Sequence, residues 1–347
     1  MNELRERLRV SQNGIARLFL LVCILFSVSP DVSADLEEAW TAWKDGDIER
    51  VGELVKEAGD SRREEDEWKH LRFLLSCISG GYDEALRIYD SIPSDYSRLE
   101  ELDGAYVDAY RHLGRLEAAA VFTKRRGMAE ATVAFLERQA DTPLVSSLDG
   151  VTVIPFADHP LTQYLPAFEA ELNGESIVAH VDTGGTFLIM GPERADSLGI
   201  ETAAAGKGFH GSTSVDMRVG IAKSFRLGDA VLENVPVATL ASLKGSQDFV
   251  IFGTNVLQQF YSTLDYPRSR LILSPRGDAG GMRKHRAMLS ENVTRVPFYM
   301  WGDHYMIARG GVGRHDGLNF FIDSGLVSIH LDGVGGMIQD AFTTTRK

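Results

Sequence analysis

The stretch Ala179-His180-Val181-Asp182-Thr183-Gly184-Gly185-Thr186-Phe187-Leu188-Ile189-Met190 sets the fold of this chain. Apolar residues run into an Asp-Thr-Gly turn, and an apolar, β-prone run leaves it. The pattern predicts a strand, a tight turn that carries a carboxylate, and a second strand. Taken alone, such a turn would be unremarkable, because Asp, Thr and Gly are common turn residues.

A second copy of this layout lies near the end of the chain, at Phe320-Phe321-Ile322-Asp323-Ser324-Gly325-Leu326. The segments that lead to the two turns also match, with Val153-Ile154-Pro155-Phe156 before the first and Val296-Pro297-Phe298 before the second. Their prolines lie 27 and 26 positions before the respective aspartates. An internal repeat of this kind predicts two related half-sites.

Two carboxylates held close together suit hydrolytic chemistry. The charge on one carboxylate opposes ionisation of the other, so that the pair shares a single proton. One carboxylate then accepts a proton from water while the other donates to the carbonyl oxygen under attack. Asp182 and Asp323 therefore form a candidate dyad that splits a peptide bond without a covalent intermediate.

With these residues the chain resembles the retropepsin-like and pepsin-like aspartic proteases, in the form of bacterial aspartyl protease family proteins. The run Phe249-Val250-Ile251-Phe252-Gly253 fits the apolar-apolar-Gly strand that threads behind the catalytic turn in that family. The resemblance implies that Asp182 and Asp323 are catalytic. It implies supporting roles around the dyad for the neighbouring turn residues Thr183, Gly184, Ser324 and Gly325.

The resemblance also places a flap over the substrate. The glycine-rich segment that contains Phe209, His210 and Gly211 lies where the family carries its flap. We expect residues near Phe209 to close over a polypeptide substrate and exclude water.

The second half departs from the family pattern. In the first half Gly253 comes 71 positions after Asp182, whereas 24 residues follow Asp323. Three interpretations stay open: a truncated product, a remnant second lobe, and a homodimer in which two first lobes pair through their Asp182 residues.

The first 34 residues predict a secretory signal peptide. Several arginines precede the 11-residue apolar run 18–28, and Val32-Ser33-Ala34 offers a small-residue cleavage site. The apolar run is short for a membrane span. We expect a periplasmic or secreted protein without a stable membrane span once the signal is cleaved, and a membrane-anchored one if it is uncleaved.

Composition excludes several classes of function. The formal net charge is −13, which argues against a nucleic-acid-binding protein because such a protein needs a basic face. The histidines and the two cysteines lack metal-ligand spacing, so we expect neither a metal nor another cofactor. Cys77 is the one cysteine that remains after removal of the leader, and it predicts no intrachain disulfide.

Residues 35–142 read as helices. Gly46, Gly81 and Gly114 recur at spacings of 35 and 33, and each is the first residue of a similar short sequence motif. A period near 34 resembles tetratricopeptide-like helical hairpins. Such repeats serve either as a docking module for a protein partner or as a packing scaffold for the neighbouring lobe.

Beyond this region the pattern changes to short β-prone runs with turns, so the fold class is a multidomain α plus all-β protein. Residues 150–275 predict a retropepsin-like β-barrel lobe. The polar residues 276–292 predict a linker, and residues 293–347 predict an incomplete second protease-like lobe.

The leading hypothesis is an exported aspartic endopeptidase that hydrolyses peptide bonds with water activated between two aspartates. The alternative is a catalytically inactive, protease-derived binding or scaffold protein whose helical repeats dock a partner. Cleavage of unfolded protein, blocked by statine-type inhibitors, distinguishes the two.

Overall fold

The computed structural model describes residues 35–210, 213–246, 248–289 and 293–326, so the predicted signal peptide lies outside the described residues. The chain divides into two units, the first ending at Leu71 and the second beginning at Arg72. The helices before the β region are α1 (Leu36–Lys44), α2 (Ile48–Glu57), α3 (Gly59–Arg63), α4 (Asp66–Ile78), α5 (Tyr82–Asp90), α6 (Asp103–His112), α7 (Leu116–Arg125) and α8 (Glu130–Asp141). Within the described part of the chain, no helix is both long and apolar enough to cross a membrane.

The first unit is a small helical cluster. Asp35 caps α1, because its carboxylate accepts a hydrogen bond of 2.8 Å from the backbone N–H of Glu37. The Trp40 indole donates to the Glu67 carboxylate at 2.9 Å. Val51 and Trp68 are fully buried. Burial of these apolar side chains stabilises helices that would be marginal in isolation.

In the second unit the end of α4, the turn before α6 and the helices α5 to α8 share an apolar core that includes Phe73, Leu102 and Phe122. Gly80 and Gly114 adopt positive φ angles of 77° and 68° in the turns between helices, a conformation that glycine adopts without strain. Gly81 instead precedes α5 as its N-cap. The helical region is therefore as predicted, while the tetratricopeptide-like interpretation stays a prediction.

The rest of the second unit consists mainly of strands. They are β1 (Val145–Ser147), β2 (Thr152–Pro155), β3 (Ala167–Leu172), β4 (Glu175–Val181), β5 (Leu188–Met190), β6 (Thr202–His210), β7 (Thr213–Leu227), β8 (Ala230–Leu240), β9 (Val250–Phe252), β10 (Phe260–Asp265), β11 (Arg270–Pro275), β12 (Phe298–Trp301), β13 (Tyr305–Val312) and β14 (His315–Phe321). Three short helices accompany them: α9 (Pro192–Ser197), α10 (Thr254–Leu257) and α11 (Ala279–Ala287).

Six of these strands close into a ring in the order β8-β5-β9-β4-β3-β7, because β7 also pairs with β8. The β4–β9 and β5–β8 pairs are parallel, so the sheet is mixed. Phe168, Phe225 and Phe252 fill its core and have no exposed surface. The strand-rich lobe expected from the sequence thus forms a closed mixed sheet.

Two smaller sheets accompany this barrel. One has the order β10-β11-β2, and it joins the start of the β lobe to its end through the pairing of Pro155 with Arg270. The other, β12-β13-β14, lies within the segment predicted as an incomplete second lobe. Phe298, Trp301 and Ile322 in and beside this second sheet are exposed.

The segment 276–292, predicted as a linker, contains the helix α11. Asp278 caps it by accepting hydrogen bonds of 2.8 Å from the N–H groups of Gly280 and Gly281. His285 is buried and contacts the hydroxyls of Thr263 and Ser274 at 2.7 and 2.8 Å. The sequence did not predict this helix because it lacks a stripe of apolar residues. Its buried His285 contacts the β lobe instead.

Candidate active site

The first Asp-Thr-Gly turn is embedded in the barrel. It connects β4 to β5, and β9 passes directly behind it. The Asp182 N–H donates to the Phe252 carbonyl at 3.0 Å, and the Gly253 N–H donates to the Phe187 carbonyl at 2.8 Å. A Cβ atom on Gly253 would lie 1.7 Å from the Thr186 carbonyl oxygen. The apolar-apolar-Gly strand therefore approaches the turn so closely that its last position requires glycine.

The second turn follows the β13–β14 hairpin. The Ile322 N–H donates to the Met306 carbonyl at 2.9 Å and so fixes the residue before Asp323 against β13. In each turn the glycine N–H donates to the aspartate carboxylate, at 2.8 Å for Gly184 and 2.7 Å for Gly325. The two turns thus have the same local geometry, as the sequence repeat predicts.

The structure brings the two carboxylates together. A Cβ atom built on Gly184 would lie 2.6 Å from the nearer Asp323 carboxylate oxygen, and one built on Gly325 would lie 2.5 Å from Asp182 Cγ. Each glycine therefore leaves the space that the opposite carboxylate occupies. No other residue type fits at either position without displacing the dyad.

Thr183 and Ser324 join the two turns by reciprocal hydrogen bonds. The Thr183 N–H donates to Ser324 Oγ at 3.0 Å, and the Ser324 N–H donates to Thr183 Oγ1 at 2.9 Å. The Thr183 hydroxyl in turn donates to the Ile322 carbonyl at 2.8 Å. Thr183 is 9% exposed, so these bonds are largely shielded from competing water.

Burial raises the pKa of Asp182 to about 7, with repulsion from Asp323 and a hydrogen bond to it as the next causes. The Gly184 N–H and the His304 imidazole act in the opposite direction. A carboxyl group that holds its proton near neutral pH beside a second carboxylate is suited to general acid–base catalysis.

The sequence analysis missed a group beside the dyad, Asp303-His304-Tyr305. Asn255, just after Gly253, donates from its side chain to the Asp303 carbonyl at 3.1 Å. Burial and the charges of Asp303, Asp182 and Asp323 raise the pKa of Tyr305. The available signal was the repeat itself, since Asp158-His159 and Asp303-His304 occupy similar places in the two halves.

Two of the expected flap residues, Phe209 and His210, lie at the end of β6. Phe209 pairs with Ser214 and His210 with Thr213 in the backbone register, and Gly211 lies outside the described residues. A flap role for Phe209, His210 and Gly211 stays a prediction.

No group of three or more His, Cys, Asp or Glu side chains that could hold a metal occurs within residues 35–210, 213–246, 248–289 and 293–326. Burial raises the pKa of the Cys77 thiol to about 12, so this cysteine is protonated at neutral pH and is a poor nucleophile.

Residues 168–256 match the family model Asp_protease_2, described as aspartyl protease. The matched segment runs from β3 to α10 and includes both the Asp182 turn and Gly253. It supports an aspartyl protease-type peptidase. A search of curated proteins found no match.

Two solved structures are similar to parts of this chain. One is a retropepsin-like aspartic protease from Rickettsia conorii, with 18% identity, a TM-score of 0.30, and coverage of 38% of this chain and 95% of its own. The other is the retroviral protease-like domain of Ddi1 from Leishmania major, with 16% identity, a TM-score of 0.22, and coverage of 32% and 95%.

Proposed function

We propose that this chain is an aspartic endopeptidase that hydrolyses peptide bonds with a water molecule activated between Asp182 and Asp323. The observation that carries the proposal is the reciprocal packing of the two turns, in which Gly184 faces the Asp323 carboxylate and Gly325 faces the Asp182 carboxylate. This arrangement holds two acidic groups in contact, as acid–base hydrolysis requires.

The dyad works with one shared proton. The raised pKa of Asp182 supports a ground state in which the pair carries one proton and one negative charge. The ionised carboxylate accepts a proton from water as the water oxygen attacks the peptide carbonyl carbon. The protonated carboxyl donates to the carbonyl oxygen, and a tetrahedral intermediate forms without a covalent bond to the enzyme.

Both members of the proposed dyad come from one chain. The hydrogen bonds between Thr183 and Ser324 favour Asp323, rather than Asp182 of a second copy, as the partner. A polypeptide substrate follows from the family match. Export is a further part of the proposal and rests on the signal-like sequence of residues 1–34.

Cleavage of unfolded casein between pH 3 and pH 8 tests the proposed activity. We expect cleavage by the wild-type chain, inhibition by a statine-type peptide, and loss of activity in Asp182→Asn with the fold intact. Asp196→Asn is the matched control, because Asp196 is an exposed carboxylate on α9. Full activity of Asp182→Asn would overturn the proposal. A folded but inactive wild type would favour the binding or scaffold alternative.

A further inference from the structure

The turn that connects β12 to β13, residues 302–304, is held by the helical region. Arg111 at the end of α6 forms an ion pair of 2.7 Å with the Asp303 carboxylate. The adjacent His112 ring donates from Nε2 to the Gly302 carbonyl at 3.1 Å and stacks on Tyr82 with ring centroids 4.1 Å apart. Two consecutive residues of one helix thus bind two consecutive residues of this turn.

The Asp303 carboxylate lies in a largely enclosed environment. Its side chain is 16% exposed, and one oxygen accepts from His304 Nδ1 while the other faces Arg111. Burial alone would raise the pKa of Asp303, but the Arg111 charge and the His304 contact hold it well below its usual range. An ionised, buried carboxylate of this kind depends on its partners.

The same turn is linked to both aspartate turns through neighbouring residues. On the first half, the Asp303 carbonyl accepts from the Asn255 side chain, whose own carbonyl accepts from the Thr186 hydroxyl at 3.2 Å. Thr186 lies two residues after Gly184. On the second half, the turn leads into β13, whose Met306 carbonyl accepts from the N–H of Ile322, the residue before Asp323.

We propose that Arg111 is a positioning residue of the dyad, which fixes the Asp303 turn and thereby the spacing between the Asp182 and Asp323 turns. The kinetic part of this inference rests on the proposed function. It assigns to the helical region a part in the active centre that the protease-like lobe alone does not supply.

The effect follows from the sensitivity of acid–base catalysis to geometry. A displacement of about 1 Å in a catalytic arrangement can cost roughly a hundredfold in rate. Removal of Arg111 leaves a buried carboxylate without its main counter-charge, and the turn must shift to expose that carboxylate to water. We therefore expect Arg111→Gln to lower kcat by about 10- to 100-fold with KM close to that of the wild type.

A matched control separates positioning from general stability. Arg126 on the end of α7 pairs with the Asp103 carboxylate at 2.6 Å, wholly within the helical region. Its side chain is 27% exposed, as is that of Arg111, and Asp103 is as enclosed as Asp303. Arg126→Gln should cost similar stability and leave kcat unchanged.

The conservative variant and the pH profile give readouts that lost stability would not change. Arg111→Lys should restore activity in part, because an ammonium keeps the charge but not the planar fork that also contacts Asp108 at 3.0 Å. In Arg111→Gln, the Asp303 carboxylate loses its main counter-charge. Protonation of Asp303 should then appear as an additional ionisation on the acidic side of the dependence of kcat on pH. Arg111→Gln/Asp303→Asn should lack this ionisation. The titratable or charged groups that face Asp303 are Arg111, His112, Asp108, Tyr82, His304 and Tyr305.

Hydrogen–deuterium exchange on the full chain tests the same inference without activity. Arg111→Gln should accelerate exchange at the amides of Gly184, Gly325 and residues 302–306, whereas Arg126→Gln should affect the helices alone. An inactive wild type with this exchange pattern would refute the proposed function and keep the positioning role. An active wild type with equal kcat, pH profile and exchange in Arg111→Gln and Arg126→Gln would overturn the positioning role.

Discussion

The two half-sites have the same turn geometry but different supports. The strands around Asp182 belong to a closed barrel, in which Val181 and Phe252 are fully buried. The strand before Asp323 belongs to an open three-stranded sheet, in which Phe321 is 39% exposed. Within the described residues 293–326, β14 pairs on one side alone, with β13. The first half-site is therefore held by its own core, and the second depends on contacts with Thr183 and α6.

The largest expected effect concerns Asp323 and tests whether the second half-site is required for cleavage. Asp323→Asn should lower the cleavage rate by roughly 10²- to 10⁴-fold, because it removes one of two acid–base groups. The rate of unfolded-casein cleavage measures this. A mixture of Asp182→Asn and Asp323→Asn chains should stay inactive. Wild-type activity in Asp323→Asn would mean that two Asp182 turns meet in a dimer.

A pair of glycine substitutions compares the supports directly. Gly253→Ala in the first half should destabilise the fold by about 3 kcal/mol or more, because the new Cβ meets backbone carbonyls that cannot move aside. Gly310→Ala in the second half meets a Phe320 ring on an exposed sheet and should cost under about 1 kcal/mol. Urea unfolding measures both costs. Equal costs would remove the contrast between the half-sites.

The partly buried carboxyl group of Asp182 predicts that the stability of the fold depends on pH. The pKa of Asp182 rises from 3.8 to about 7 on folding. This carboxyl group therefore contributes fully to the stability of the folded wild type below pH 4, and its contribution is lost as the pH increases towards 7. The loss should be about 2 kcal/mol, roughly half the value for an unscreened three-unit shift. Asp182→Asn should lack it. Thermal unfolding from pH 4 to pH 8 checks this, and parallel curves for the two proteins would contradict it.

The smallest expected effects concern the bonds between the halves. Thr183→Val leaves the Ser324 N–H without its acceptor and the Ile322 carbonyl without its donor, at a cost of about 2 kcal/mol. Ser324→Ala leaves the Thr183 N–H without its acceptor, at about 1 kcal/mol. Unfolding midpoints rank the two variants. A larger cost for Ser324→Ala than for Thr183→Val would contradict this ranking.

Much of the fold was accessible from local sequence patterns. Short-range preferences of residues for helix, strand and turn predict three kinds of feature: the glycine turns between helices, the strands, and the two Asp-Thr/Ser-Gly turns. The match of residues 168–256 to an aspartyl protease model supports the family expectation at a coarse level. The sequence did not predict β1, which lies between the expected helical region 35–142 and the expected β lobe 150–275, where Val145 pairs with Glu233 and extends the barrel sheet.

The contacts that hold the second half could not be predicted. Arg111 reads as an ordinary basic residue in the last turn of a helix, where cations are favoured by the helix dipole. Its partner Asp303 lies far along the chain, after the whole barrel. Local propensity carries no information on such a pairing, and a single sequence contains no covariation that would reveal it.

The reciprocal packing of Gly184 and Gly325 has a consequence for how the protein matures. The bonds between the two turns link residues 141 positions apart, so they form late, after the long loop between them has closed. Under the proposed function, a nascent chain that has folded its barrel therefore still lacks the second carboxyl group of the dyad.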